Sequence, residues 1–179
     1  NNEFIYGCAI AFEPNYFSSE GYYFSPYSYR AENGEIKTMQ LGTDTYDYHY
    51  MDWYQIPKLL NKPYWSEPYY DDGGGEEMMT TYSKPLYDAD GKLYAIITAD
   101  LSLEWLTNLV GEIQAFNNSY NLMVSRNASF IVHPDRDLIL NETIFSSTYG
   151  DTDESLKKLQ DDIVNCRAGE VLRTKDGGK

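Results

Sequence analysis

Long apolar runs, basic charge and thiols are all scarce in this chain. No run of about 18 apolar residues occurs, so no stretch of it reads as a membrane-crossing helix. The charged, apolar and small-residue order of a signal peptide does not open it either. Lys and Arg number 14 against 28 Asp and Glu, a formal charge of −14. That balance argues strongly against a nucleic-acid partner, which needs a basic footprint, and disfavours an anionic membrane surface. The two cysteines, Cys8 and Cys166, lie near opposite ends with no CxxC and no histidine pair beside them, so a structural zinc site is not expected. We expect two free thiols, with Cys8 acting as a small core residue inside FIYGCAIAF. His49 and His133 are the only histidines and stand apart, which suits structural roles. No P-loop, GxGxxG, HExxH, GxSxG or EF-hand pattern is present, and Gly73-Gly74-Gly75 lacks the Lys-Ser/Thr of a phosphate loop and reads as a flexible turn. Neither a cofactor nor a metal is expected. Three N-x-S/T sequons, at Asn117, Asn127 and Asn141, matter only in a secreted eukaryotic protein.

Aromatic and acidic side chains are abundant, and with a glycine run they crowd into residues 52–103, which carry carboxylates, phenols and indoles together. Trp53, Ile56, Pro57 and Leu60 follow helical spacing, with Pro57 kinking the helix or ending its regular part. Met78–Tyr87 and Leu93–Ala99 read as two strands joined at Asp88-Ala89-Asp90-Gly91. Between helix and hairpin runs the loop WSEPYYDDGGGEE, long and aromatic enough to read as a binding loop on a rigid scaffold. Of the adjacent Trp53 and Tyr54, only one is expected to point fully inward. Tyr69 and Tyr70 need a surface to cover. Asp100 has two readings of equal weight, a ligand group or the N-cap of the helix that follows. The pairs Glu67 with Asp71, and Asp71 with Asp100, are the candidates for a glycosidase-type acid and base, but spacing does not place two carboxylates across a sugar. We therefore expect no catalysis.

At 179 residues the chain is long enough for one domain or two small ones. FIYGCAIAF (residues 4–12), YYFSPYSYR (residues 22–30, kinked at Pro26) and residues 36–41 are expected strands, separated by PNYFSSEG and by the turn at Glu32-Asn33-Gly34-Glu35. Strands in succession with one helix inserted indicate an antiparallel sheet of α+β type. Asp100 is expected to end the hairpin. Leu101, Trp105, Leu109, Val110 and Ile113 then mark a helix of roughly 12 to 16 residues, the expected boundary between residues 1–110 and 111–179. Beyond it, Tyr120–Ser125 and Ser129–His133 form an expected second hairpin about Arg126-Asn127-Ala128. Leu156, Leu159 and Ile163 mark an amphipathic helix, and Glu170–Thr174 a last strand. The turn-like Asp176-Gly177-Gly178-Lys179 leads us to expect that the second module is incomplete.

DWYQIPK, WSEPYYDDGGG, TTYSKPLYD, ITADLSLEWL and SRNASFIVHP, in that order, resemble the double-Cache (dCache) sensor domains of bacterial membrane receptors of histidine kinase or serine phosphatase type. The similarity runs from about Tyr6 to beyond Phe145. It implies two PAS-like modules, each a central antiparallel sheet flanked by helices: a membrane-distal one with the ligand pocket and a membrane-proximal one. It also implies a long N-terminal helix and C-terminal closing strands, which this chain lacks. The whole receptor would be membrane-anchored in an extracytoplasmic arrangement, homodimeric, and bound to a small molecule. Amino-acid-binding members carry a Tyr, an Arg, a Trp-Tyr pair, a Tyr and two Asp. Tyr46, Trp53, Tyr54, Tyr69, Asp71 and Asp100 match that pattern, and Met51 stands at the arginine. Methionine cannot replace a guanidinium that forks onto a ligand carboxylate. The expected ligand is therefore a small amine or cation. Arg30 is a candidate for the missing positive charge, so an amino acid or organic acid is the alternative, and Tyr82 is a further candidate contact. A secreted carbohydrate-binding module, using the tyrosines as a stacking platform, is the alternative of another class.

Overall fold

A computed structural model describes residues 4–31, 33–72, 74–113, 117 and 119–165. The chain divides into two units, Asn1–Leu106 and Thr107–Lys179.

The first unit is built on a seven-stranded sheet. Its strands are β1 (Gly7–Phe12), β2 (Ser25–Arg30), β3 (Ile36–Leu41), β4 (Tyr64–Trp65), β5 (Tyr69–Tyr70), β6 (Met78–Tyr87) and β7 (Leu93–Ser102). They lie in the order β3-β2-β1-β7-β6-β4, with β5 also paired to β6, and every pairing is antiparallel. The sheet thus has the expected α+β character. The β6–β7 hairpin forms because Asp88 closes its turn: Oδ1 accepts from the backbone N–H of Asp90 (3.0 Å) and of Lys92 (2.9 Å). The loop WSEPYYDDGGGEE is partly strand, since its tyrosines and tryptophan add β4 and β5 to β6.

Alternation along β1, β6 and β7 sends Ala9, Ala11, Met79, Thr81, Ile96, Thr98 and Asp100 to one buried face. Full burial of Met79 and Ile96 stabilises by roughly 1.5–3 kcal/mol each. Cys8 falls on the opposite face and is exposed as a free thiol, not a core residue as its apolar neighbours suggested. Cys166 and Glu170–Thr174 lie outside the described residues.

Helix α1 (Asp52–Leu60) continues through Pro57, so the proline does not end it; Asn61 in the left-handed conformation does. Its buried residues are Trp53, Tyr54 and Pro57, whereas Leu60 is exposed. Both adjacent aromatics are buried in the same core cluster, whereas only one was expected to point fully inward. Helix α2 (Leu103–Gly111) is shorter than expected and starts two residues later, since β7 continues through Asp100 to Ser102. Ser102 takes the capping role, its Oγ accepting from Trp105 N–H (3.3 Å). The later start rotates the buried stripe onto Leu103, Leu106 and Val110, and Leu109 and Ile113 are exposed.

In the second unit, β8 (Met123–Val124) and β9 (Phe130–Val132) make a hairpin shorter than expected, about a turn with Ala128 at positive φ. Helix α3 (Glu154–Val164) begins at Asp153, whose carboxylate accepts from Ser155 N–H (2.8 Å). Leu159 and Ile163 of α3 pack on the cluster Ala128, Phe130 and Ile144. No helix among the described residues is long and apolar enough to cross a membrane.

Candidate ligand-binding site

A small, partly open cavity lies on the buried face of the first unit's sheet. Tyr27, Tyr46, Trp53, Tyr69, Asp71 and Asp100 surround it, and Ala9, Leu41 and Thr98 complete its lining. Its volume is about 10 Å³, the room of one water molecule. A larger ligand therefore needs the lining to rearrange around it. No Lys, Arg or His lines it.

Asp100 projects from near the C-terminal end of β7, where the register sets it beside Gly7 of β1 and Thr81 of β6. It is 4% exposed. The Thr81 hydroxyl donates to its Oδ1 (2.8 Å), and the Tyr69 hydroxyl, 2.7 Å from Thr81 Oγ1, donates in turn to Thr81. Burial pushes the Asp100 carboxyl up to about 7; the Thr81 bond opposes this, and the charge of Asp71 adds to it.

Asp71 ties Tyr46 to the turn at Gly75 beside the cavity. Its Oδ1 accepts from the Tyr46 hydroxyl (2.9 Å) and its Oδ2 from Gly75 N–H (2.6 Å). Its backbone closes the same turn, through Asp71 N–H to Glu77 O and Glu76 N–H to Asp71 O. Burial raises its pKa and these two donors restrain the rise. The Tyr6 hydroxyl adds a latch on Gly75 O (2.6 Å). The glycines serve close approach rather than flexibility: a Cβ on Gly74 would overlap the Asp71 carboxylate, and one on Gly75 would come within 2.9 Å of the Tyr27 hydroxyl. Gly73 lies outside the described residues.

Burial raises the phenols of Tyr27, Tyr46 and Tyr69 far above their ordinary range, so all three are neutral at physiological pH. They are hydrogen-bond donors there, with ring faces available to a cation. Among the described residues no group of three or more His, Cys, Asp or Glu is placed to hold a metal.

Five residues expected from the sequence thus meet at one cavity: Tyr46, Trp53, Tyr69, Asp71 and Asp100. Tyr54 does not join them; its hydroxyl donates to Glu13 Oε1 (2.5 Å), which Lys58 also engages. Met51 precedes α1 and packs on the core without lining the cavity. Strand alternation puts Arg30 on the side of β2 opposite Tyr27. Tyr82 faces the other side of the sheet, in an open hollow of about 510 Å³ with no carboxylate in its lining. Sequence reasoning missed Tyr27. Only the register reveals it, because Gly7 on β1 leaves the space its ring fills.

A sequence model of the methyl-accepting chemotaxis protein-like first PDC sensor domain matches residues 1–108. Among solved structures, the chain is 29% identical to the extracellular domain of mmHK1S-Z3, described as a histidine kinase, with a TM-score of 0.75 over 94% of this chain and 62% of that one. The corresponding domain of mmHK1S-Z2 is 25% identical, with a TM-score of 0.72 over 94% and 64%. The ligand-binding domain of the Pseudomonas aeruginosa chemoreceptor PctC, in complex with GABA, shares the fold at 22% identity and a TM-score of 0.52, over 79% and 55%. The chain spans just under two thirds of the length of the two kinase domains. The match over residues 1–108 coincides with the sheet unit that carries the cavity. This chain belongs to the methyl-accepting chemotaxis protein-like family of first PDC sensor domains.

Proposed function

We propose that this chain is the ligand-binding part of an extracytoplasmic receptor for small molecules, and that its ligand is a small amine or other cation held in the cavity beside Asp71 and Asp100. The observation that carries this reading is the pairing of two buried carboxylates with four aromatic rings and no basic side chain in one cavity. A ligand carboxylate placed there would meet two acids and no countercharge, at a cost of several kcal/mol. An ammonium would instead receive charge-assisted hydrogen bonds and cation–π attraction of ~0.5–2 kcal/mol. Met51, standing where the resemblance implies an arginine, supports the same ligand class.

In this reading the two units are membrane-distal and membrane-proximal modules of a membrane-anchored, homodimeric signalling receptor, and neither catalyses a reaction. Binding would favour one arrangement of segment 71–77, and the shift in population would pass through α2. A second reading, an amino acid or organic acid, draws on Arg30, whose Nε is buried without a hydrogen-bond partner. The GABA complex of PctC points the same way, since GABA carries both an ammonium and a carboxylate.

The test is a thermal-shift screen with amines, amino acids and organic acids, followed by calorimetry on Asp71→Ala and Asp100→Ala. Amines at about 100 times Kd should stabilise the protein by ~2.7 kcal/mol, and both substitutions should abolish binding. Tight binding of a carboxylic acid, lost on removal of Arg30, would establish the second reading instead.

A further inference from the structure

We propose that Tyr27 and Asp100 form a proton-exchanging corner of this cavity, where an ammonium-type cation binds by taking the place of a proton held on the Asp100 carboxyl. The inference rests on the amine reading and adds to it how binding depends on pH.

The two carboxylates are not equivalent. Both oxygens of Asp71 receive donors, one from Tyr46 and one from Gly75, so its ionised form is provided for. Asp100 receives the Thr81 hydroxyl on Oδ1. The Tyr27 hydroxyl approaches the Asp100 carboxyl closely enough to favour its ionised form in part, yet stays outside full hydrogen-bond geometry. That hydroxyl is a buried polar atom without a partner on a side chain 1% exposed, and its ring lines the cavity. Leaving such a group unpaired is costly, and a ligand N–H beside Asp100 would give it a use.

The titratable groups around Asp100 supply no countercharge. They are Cys8 of β1 and Tyr6 just before it, Tyr27 of β2, Tyr46, Tyr69 of β5 and Asp71. Each phenol and the thiol is raised by burial and stays neutral, and Asp71 is itself an acid. With two acids and no base in one buried place, the proton settles on Asp100, the more deeply buried carboxyl. An incoming ammonium reverses this. The carboxyl O–H bond breaks, the proton passes to buffer, and the carboxylate accepts from the ligand N–H; no other bond is made or broken.

The sign follows from linkage. Below the titration of Asp100, binding must expel a proton, so affinity rises by up to about tenfold per pH unit; above it, affinity levels off.

The experiment is titration calorimetry of the chain with methylammonium, ethylammonium and 1,4-diaminobutane chlorides at pH 6.5. Phosphate, PIPES and ACES are the buffers, which differ in ionisation enthalpy, and Kd is followed from pH 5.5 to 8.5. The expected result is release of about one proton per cation, read from the buffer dependence of the enthalpy, with Kd falling as pH rises. Asp100→Asn should abolish binding and the proton release with it, and Tyr27→Phe should weaken binding several-fold while leaving the release intact. Binding with an enthalpy independent of buffer and a flat pH profile overturns the inference and leaves the amine reading standing. Absence of binding by all three amines overturns both. The buffer comparison on the unmodified protein decides the matter even where a variant fails to fold.

Discussion

Asp100→Asn should make the ligand-free protein more stable, and increasingly so as pH rises. Burial raises the Asp100 carboxyl from 3.8 to about 7. A carboxyl whose folded pKa lies above its unfolded value holds a proton that the unfolded chain has released. Its contribution to stability is therefore full below pH ~4 and is lost as pH rises toward ~7. Three pH units at 1.36 kcal/mol each make the ionised or proton-capturing Asp100 cost about 4 kcal/mol at pH 8. Asparagine keeps an acceptor for the Thr81 hydroxyl and carries no charge, so it removes this cost. Effects of the other titrating groups are largely common to both proteins and cancel in the difference. Urea unfolding followed by tryptophan fluorescence at pH 5 and pH 8 measures it. The advantage of the variant should grow by about 2–3 kcal/mol between the two pH values. Parallel pH profiles, or a variant less stable than the parent at pH 8, would refute the claim that Asp100 is a strained carboxyl. A confirmed gain, with binding lost, would show stability given up for function at this position.

Gly7→Ala should destabilise by about 1–3 kcal/mol in urea, because the added Cβ overlaps the Tyr27 hydroxyl and comes within 2.6 Å of its ring carbons. Ser102→Ala should cost about 1 kcal/mol in the same assay, the value of a lost N-cap; no loss would mean that Ser102 does not cap α2. Asp71→Ala leaves the Tyr46 hydroxyl and Gly75 N–H without their acceptor. Amide hydrogen exchange in residues 71–77 should then speed up by at least about tenfold while α3 is unchanged, and uniform exchange rates in both proteins would show that Asp71 does not hold that segment.

Much of this fold is legible along the chain because its signals are local. β3 and the β6–β7 hairpin follow from β-forming residues bounded by turn residues, with Asp88 and Gly91 at the turn. α3 follows from Leu156, Leu159 and Ile163 behind an Asp153 cap. The resemblance adds a set of six positions, five of which meet at the cavity. Asp100 shows where local reasoning ends: the same Asp-Leu-Ser-Leu suits a helix cap or a strand, and only pairing with Gly7 and Thr81 carries β7 past it.

The sequence by itself determined the antiparallel α+β character, the acidic net charge, and the aromatic and acidic make-up of the candidate site. Tertiary structure alone decided which face of each strand is buried, and with it the exposure of Cys8, the diversion of Tyr54 to Glu13 and the arrival of Tyr27 beside Asp100. The physical reason is that alternation tells which residues share a face, whereas cross-strand register tells what each face meets.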